Sequence, residues 1–269
     1  MHLIESDVRA NGINLHVYRT HSGKPPLLLS HGRSDNGLCY WPFAQQFANE
    51  YEIILYDSRN HGQSDGTEAN TLVDRANDLA ELIQALGLPK PALIGHSLGA
   101  VTIALLAGLH PQMPGCIVLE DPPPLEMMTG DNPQLREFHN HWLQLATENK
   151  QKSLDELIAM SRTENPTWPE AERAPWALSK QQFNLNAFTE GSIDLEEGRQ
   201  LYAQITCPTL LVTADSQRGA MFPTQAADAL VAQLPNAMHV NIPGAGHNIR
   251  REQPTAFATA VRNFLATQA

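Results

Sequence analysis

The sequence predicts an α/β protein: a mostly parallel central sheet flanked by helices, with a helical cap inserted into it. Three observations carry this. Short apolar runs alternate with longer amphipathic stretches through residues 1–121, and strands separated by helices give a parallel sheet covered on both faces. The same rhythm resumes over residues 207–269. Between 122 and 206 it fails, and that stretch is too long for a simple strand-to-helix connection. The chain therefore divides into a core of residues 1–121 and 207–269 and a cap of residues 122–206.

The predicted strands of the first half are INLHVYR (13–19), PPLLLS (25–30), YEIILYD (51–57), PALIGH (91–96) and GCIVLED (115–121). INLHVYR and PPLLLS have too little chain between them for a crossover helix, which predicts antiparallel pairing. TLVDRANDLAELIQALG (71–87) places Leu72, Ala76, Leu79, Ile83 and Leu86 at helical spacing, with Thr71 as N-cap, Asp74 three residues on and Gly87 as the stop. LGAVTIALLAGLHP, after Ser97, is apolar enough for a central helix ending before Pro111. Later come the strand TLLVTAD (209–215), a helix near 224–234, the strand AMHVNIPG (237–244) and a last helix in 251–268. The predicted cap opens on Pro122, Pro123 and Pro124 and holds Phe138, Trp142, Trp168, Trp176, Phe183 and Phe188. Most of those aromatics are expected to form the cap's own core.

Composition excludes several classes. A net charge of -11 argues against general affinity for nucleic acid or anionic membrane. No apolar run is long enough to span a bilayer. MHLIESDVRANG lacks a basic stretch followed by an apolar run, so no signal peptide and a cytoplasmic location are expected. Cys39, Cys116 and Cys207 are far apart and suggest neither a disulfide framework nor a metal site. No cofactor or metal is expected, and the oligomeric state is left open.

The chemistry centres on ALIGHSLGA. Gly95, His96, Ser97, Leu98 and Gly99 lie between a predicted strand and a predicted helix. A serine at so tight a turn presents its hydroxyl, and small residues two before and two after let strand and helix approach. In this context the motif resembles the nucleophile elbow of the α/β-hydrolase fold family, and the resemblance runs from about residue 10 to the C-terminus. LLLSHGRSDNG (27–37) is similar to the family's oxyanion loop. ILYDSRNHGQSDG (54–66) is similar to its turn D-x-R-G-x-G-x-S, with Asn60 where glycine is usual. Asp57, Arg59 and His61 in it are read as a structural turn. IPGAGHNIRREQP (242–254) is similar to the segment that bears the catalytic histidine.

The resemblance implies Ser97 as nucleophile, His247 as base, and the amides of Leu98 and Arg33 as oxyanion donors. The Arg33 side chain either meets a substrate carboxylate or pairs with Asp35 or another acid. His31 and His96 are structural or pocket-lining. The acid has three candidates. The family pattern counted from Pro208 lands on Gln217, which cannot ionise, and Asp215 stands two residues early. Some members carry the acid after the sixth strand, where Glu120 and Asp121 stand 23 and 24 residues beyond Ser97. Asp215 is the expected acid and Glu120 its first rival, with Asp121 behind them.

A serine, rather than the aspartate of similar dehalogenases and epoxide hydrolases, suits acyl transfer. The expected activity is hydrolysis of a small or medium carboxylic ester or lactone through an acyl-enzyme. Alternatives are hydrolysis of a carbon–carbon bond in a diketone-like compound, cofactor-free haloperoxidase or perhydrolase activity, and a non-catalytic ligand-binding protein.

Overall fold

A computed structural model of the chain describes residues 2–129, 133–188 and 192–268. Among them eight strands form one sheet in the order β1-β2-β4-β3-β5-β6-β7-β8. They are β1 (Ile4–Ala10), β2 (Ile13–Arg19), β3 (Pro26–Ser30), β4 (Glu52–Tyr56), β5 (Ala92–His96), β6 (Cys116–Glu120), β7 (Thr209–Thr213) and β8 (Ala237–Asn241). From β4 to β8 every neighbouring pair is parallel.

The first pairing corrects the sequence expectation. β2 does not pair with β3; it is antiparallel to β1 on one side and to β4 on the other. β1 went unpredicted, although Asn11 (φ 45°) and Gly12 (φ 80°) make the two-residue turn that an Asn-Gly pair favours in a hairpin. β3 is unavailable to β2 because β4 and β5 flank it in parallel.

The helices lie on both faces. On one, α2 (Leu72–Ala85) and α3 (Leu98–Leu109) bury Leu72, Leu79, Val101 and Leu105 against Leu28, Ile117 and Leu119. On the other, α1 (Trp41–Ala44) and α10 (Pro254–Ala266) bury Phe43, Phe257, Val261 and Phe264 against Leu29, Val118 and Val212. Thr71 and Asp74 form a reciprocal capping box at the start of α2.

Between β6 and β7 runs a helical insert: α4 (Pro133–Asn149), α5 (Leu154–Glu164), α6 (Arg173–Gln182) and α7 (Leu195–Ala203). Leu157, Trp168 and Trp176 make one small core of its own, and Ala146, Phe183 and Ala187 another. Trp142 is exposed. The side chains of Phe138 and His139 lie outside the described residues. The remaining helices are α8 (Thr224–Val231) and α9 (Ile249–Glu252).

Candidate active site

Ser97 joins β5 to α3 at φ 53° and ψ −121°, a conformation that L-residues rarely adopt. The turn is tight enough that only glycine fits two residues before it and two after it. A Cβ on Gly99 would stand 2.1 Å from the Ser30 carbonyl oxygen, and one on Gly95 2.5 Å from the Gly99 carbonyl oxygen. The Ser97 amide donates to the Glu120 carbonyl at 2.9 Å, which ties the turn to the end of β6.

The loop after β3 presses on this serine. A Cβ on Gly32 would lie 3.3 Å from Ser97 Cβ. Gly32 to Asp35 form a turn, closed by Asp35 N–H donating to Gly32 O at 3.2 Å, with Ser34 in the left-handed region at φ 62°. Arg33 therefore sits in the turn, and its guanidinium reaches the insert. Its Nη1 lies 3.5 Å from the Ala187 carbonyl, and its centre 5.6 Å from the Phe188 ring.

His247 lies between β8 and α9, and its Nδ1 meets Asp121 Oδ2 at 2.6 Å. Asp121 is fully buried and follows β6 at φ 41°. Its carboxylate also accepts from Met221 N–H (2.8 Å) and Phe222 N–H (3.0 Å). Three N–H donors thus meet the carboxylate, His247 Nδ1 among them, which turns Nε2 of the ring away from the acid. His96 Nε2–H donates to the His247 carbonyl at 2.8 Å, so the residue beside the serine also fixes the histidine's backbone.

The carboxylate that meets the His247 ring is therefore neither Asp215 nor Glu120. Asp215 accepts from Gly244 N–H at 2.7 Å and holds the backbone leading to His247, not its ring. Glu120 is turned away. It shares a sheet face with Cys116 and Val118, where its carboxylate takes Arg250 N–H at 2.8 Å, Arg250 Nη1 at 3.3 Å and Tyr40 Oη at 3.4 Å. Strand alternation separates the two neighbours: Glu120 points into the helical layer, and Asp121, past the strand's end, turns toward the histidine.

Glu120 belongs to a buried ionic cluster. Asp35 is held by Lys180 (3.3 Å), Arg250 (3.1 Å) and Arg251 (3.0 Å), and Arg251 also pairs with Glu172 at 3.1 Å. Burial opposes charge on Asp35, but Arg251, Lys180 and Arg250 outweigh it and hold the carboxyl well below the usual range. Burial pushes the Lys180 ammonium down, against the pull of Asp35. Three buried histidines surround the same loops. Burial lowers His31 to about 4 and holds His61 and His96 well below their ordinary value. Their bonds suit neutral rings: Ser58 N–H donates to His31 Nε2 at 3.0 Å, and Ser34 N–H to His61 Nε2 at 3.3 Å. Asp57 accepts from Gly37 N–H and Gln63 N–H, and Arg59 forks onto both oxygens of Asp78 at 2.6 Å.

The family described as alpha/beta hydrolase fold matches residues 25–251. The chain belongs to that family. As an alpha/beta hydrolase it is 28% identical to the 2-(acetamidomethylene)succinate hydrolase of Mesorhizobium japonicum, over 98% of this chain and 96% of that protein. It is 24% identical to the esterase YbfF of Escherichia coli, over 89% of this chain and 92% of that one. Among solved structures, an N-formylmaleamic acid deformylase from Pseudomonas putida superposes with a TM-score of 0.75 at 23% identity, covering 96% of this chain and 100% of the other. The protein is thus a hydrolase of the α/β fold. Among the described residues no helix of this hydrolase is long and apolar enough to cross a membrane.

Proposed function

We propose that this hydrolase is a serine enzyme that cleaves a small or medium carboxylic ester or lactone through an acyl-enzyme. Ser97 is the nucleophile, His247 the general base and Asp121 the orienting acid. The observation that supports this best is the 2.6 Å contact between His247 Nδ1 and the buried Asp121 carboxylate, beside a strained serine turn. In the reaction Ser97 Oγ attacks the carbonyl carbon while His247 Nε2 takes its proton. The oxygen that gains charge is met by the backbone N–H groups of Leu98, at the start of α3, and Arg33. His247 returns the proton to the leaving oxygen, then activates water to release the acid. The helical insert serves as a cap over this site, and Arg33 beneath Phe188 lies at the junction.

A second reading is hydrolysis of an acyl amide, which the name of the Mesorhizobium japonicum relative favours. The same serine, histidine and oxyanion donors serve both, and the difference lies in the group that leaves. The test is labelling by a fluorophosphonate, with S97A as control, beside a screen of esters, lactones, acyl amides and diketones. Labelling of the wild type that S97A abolishes, with turnover of esters or lactones, is expected. Turnover of amides alone moves the assignment to the second reading, and of diketones alone to carbon–carbon bond hydrolysis. No labelling and no turnover refute a serine enzyme.

A further inference from the structure

We propose that Lys180, on the helical insert, is a positioning residue for the oxyanion loop, so that the insert completes the catalytic site as well as covering it. The inference rests on the serine-hydrolase reading above. Lys180 stands in the last turn of α6 and is buried, with its ammonium 5.0 Å from the ring of Trp176 on the same helix and its hydrogen bonds directed to the core. Its Nζ donates to the Ser34 carbonyl at 2.8 Å, to Ser34 Oγ at 2.9 Å and to Asp35 Oδ1 at 3.3 Å. An ammonium has three protons, and three acceptors of one turn are within reach of them.

The turn has reason to need holding. Ser34 carries φ 62°, which a residue with a side chain adopts rarely. Its amide is engaged by His61 at 3.3 Å, and its carbonyl and hydroxyl by Lys180. The peptide that joins Arg33 to Ser34 is therefore fixed at one end by contacts from both the core and the insert. That peptide follows directly on the Arg33 amide, the second oxyanion donor, and Gly32 lies against Ser97. Asn36 Nδ2 adds a second link, donating to Gln182 Oε1 at 2.8 Å two residues beyond Lys180.

Charge supports the same role. Lys180 is one of three cations set against Asp35, Glu120 and Glu172, and the other two, Arg250 and Arg251, follow His247 by three and four residues. Asp35 thus joins the oxyanion loop, the histidine loop and the insert at one carboxylate. Arg250 is shared with Glu120 and Arg251 with Glu172, so Lys180 completes a balance of three cations against three carboxylates. What Lys180 supplies beyond charge is the grip on the Ser34 carbonyl.

The test compares wild type with K180M, using a nitrophenyl ester as substrate and phenylboronic acid as a tetrahedral adduct of the serine. Displacement of one oxyanion donor is expected to lower kcat by about 10- to 100-fold with little change in KM, since misplacement near 1 Å costs that much. Affinity for the boronic acid is expected to fall in parallel, because only the tetrahedral species uses the displaced donor. A purely structural lysine would move neither ratio in K180M that melts cooperatively. K180M that folds and keeps kcat and boronate affinity within about twofold of wild type overturns the proposal. If K180M does not fold, the double variant K180M/E172Q decides, since it removes one charge of each sign from the cluster and still lacks the grip on the Ser34 carbonyl: lower kcat with KM kept supports the proposal, and an unchanged kcat overturns it. Absence of fluorophosphonate labelling in the wild type is a separate result, and it refutes the underlying serine reading.

Discussion

Asp121 and His247 are 126 residues apart in the chain, and Asp121 Oδ2 lies 2.6 Å from His247 Nδ1. The carboxylate takes its two other hydrogen bonds from the amides of Met221 and Phe222. It is thus oriented by the loop that follows β7, the loop in which the sequence pattern expects the acid itself. The carboxylate at His247 follows β6, one strand away from that loop.

That relationship separates two variants. D121N offers an amide N–H to Nδ1 and favours the wrong histidine tautomer, so kcat is expected to fall by about 10⁴-fold. D215N keeps an oxygen that can accept from Gly244 N–H and is expected to retain most activity. Steady-state rates on whichever ester the screen identifies, with circular dichroism to confirm folding, make the comparison. Collapse in D215N with D121N active would return the role to Asp215.

Glu120 is expected to matter for stability. Its carboxylate and Arg250 are both fully buried, and Arg250 also takes Asp35. E120Q removes one side of a buried pair, which costs about 3 kcal/mol by precedent for such pairs. The urea midpoint should drop accordingly, while kcat per folded molecule changes far less than in D121N. An unchanged midpoint would show that Asp35 alone satisfies Arg250.

The sheet, the serine turn and the histidine loop were legible because each is written in local pattern. GHSLG has its small residues where backbones collide, and Thr71 to Gly87 carries both helix ends. The Asp121 contact with His247 was not legible by counting from Pro208, because that count places the carboxylate after the seventh strand. The available clue was alternation: Glu120 is the last residue of β6 and shares the face of Val118, which leaves Asp121 as the first residue free to turn. The pairing of β2 was missed for a related reason, since short loops forbid a crossover but do not make consecutive strands neighbours. Lys180, Asp35, Arg250 and Arg251 carry no local signal at all. Their meeting is a product of packing between segments up to 216 residues apart.

The strain at Ser97 leads to a stability prediction. With φ 53° and ψ −121° the residue pays a conformational cost that glycine avoids. S97A keeps the Cβ and the cost; S97G removes both. Because Ser97 is buried and its amide already bonds Glu120 O, the turn is held in place in either variant. S97G is expected to be more stable than S97A by about 1 kcal/mol, read as a difference in urea midpoints. Equal midpoints would mean that the turn relaxes when the hydroxyl is lost.

The neutral histidines make stability depend on pH. His31 is held at about 4 by burial, and Ser58 N–H donates to its Nε2, a bond that a protonated ring cannot accept. In the unfolded chain the same ring takes a proton near its ordinary value of about 6.5. The folded-state value is the lower one, so the contribution of His31 is fully present above about 6.5. It is lost as pH falls from there toward about 4, at about 1.4 kcal/mol per unit once the unfolded ring is protonated. Asp57, Asp78 and Glu120 act in the opposite sense, because burial raises them and the folded state takes their protons first. Comparison with H31Q cancels those carboxylates, which both proteins share. H31Q is expected to be the less stable protein at pH 8, where it has lost the Ser58 contact, and to close that gap as pH falls from 6.5 to 5. Urea unfolding across this range gives the difference directly, and a gap that stays constant with pH would refute a neutral, buried His31.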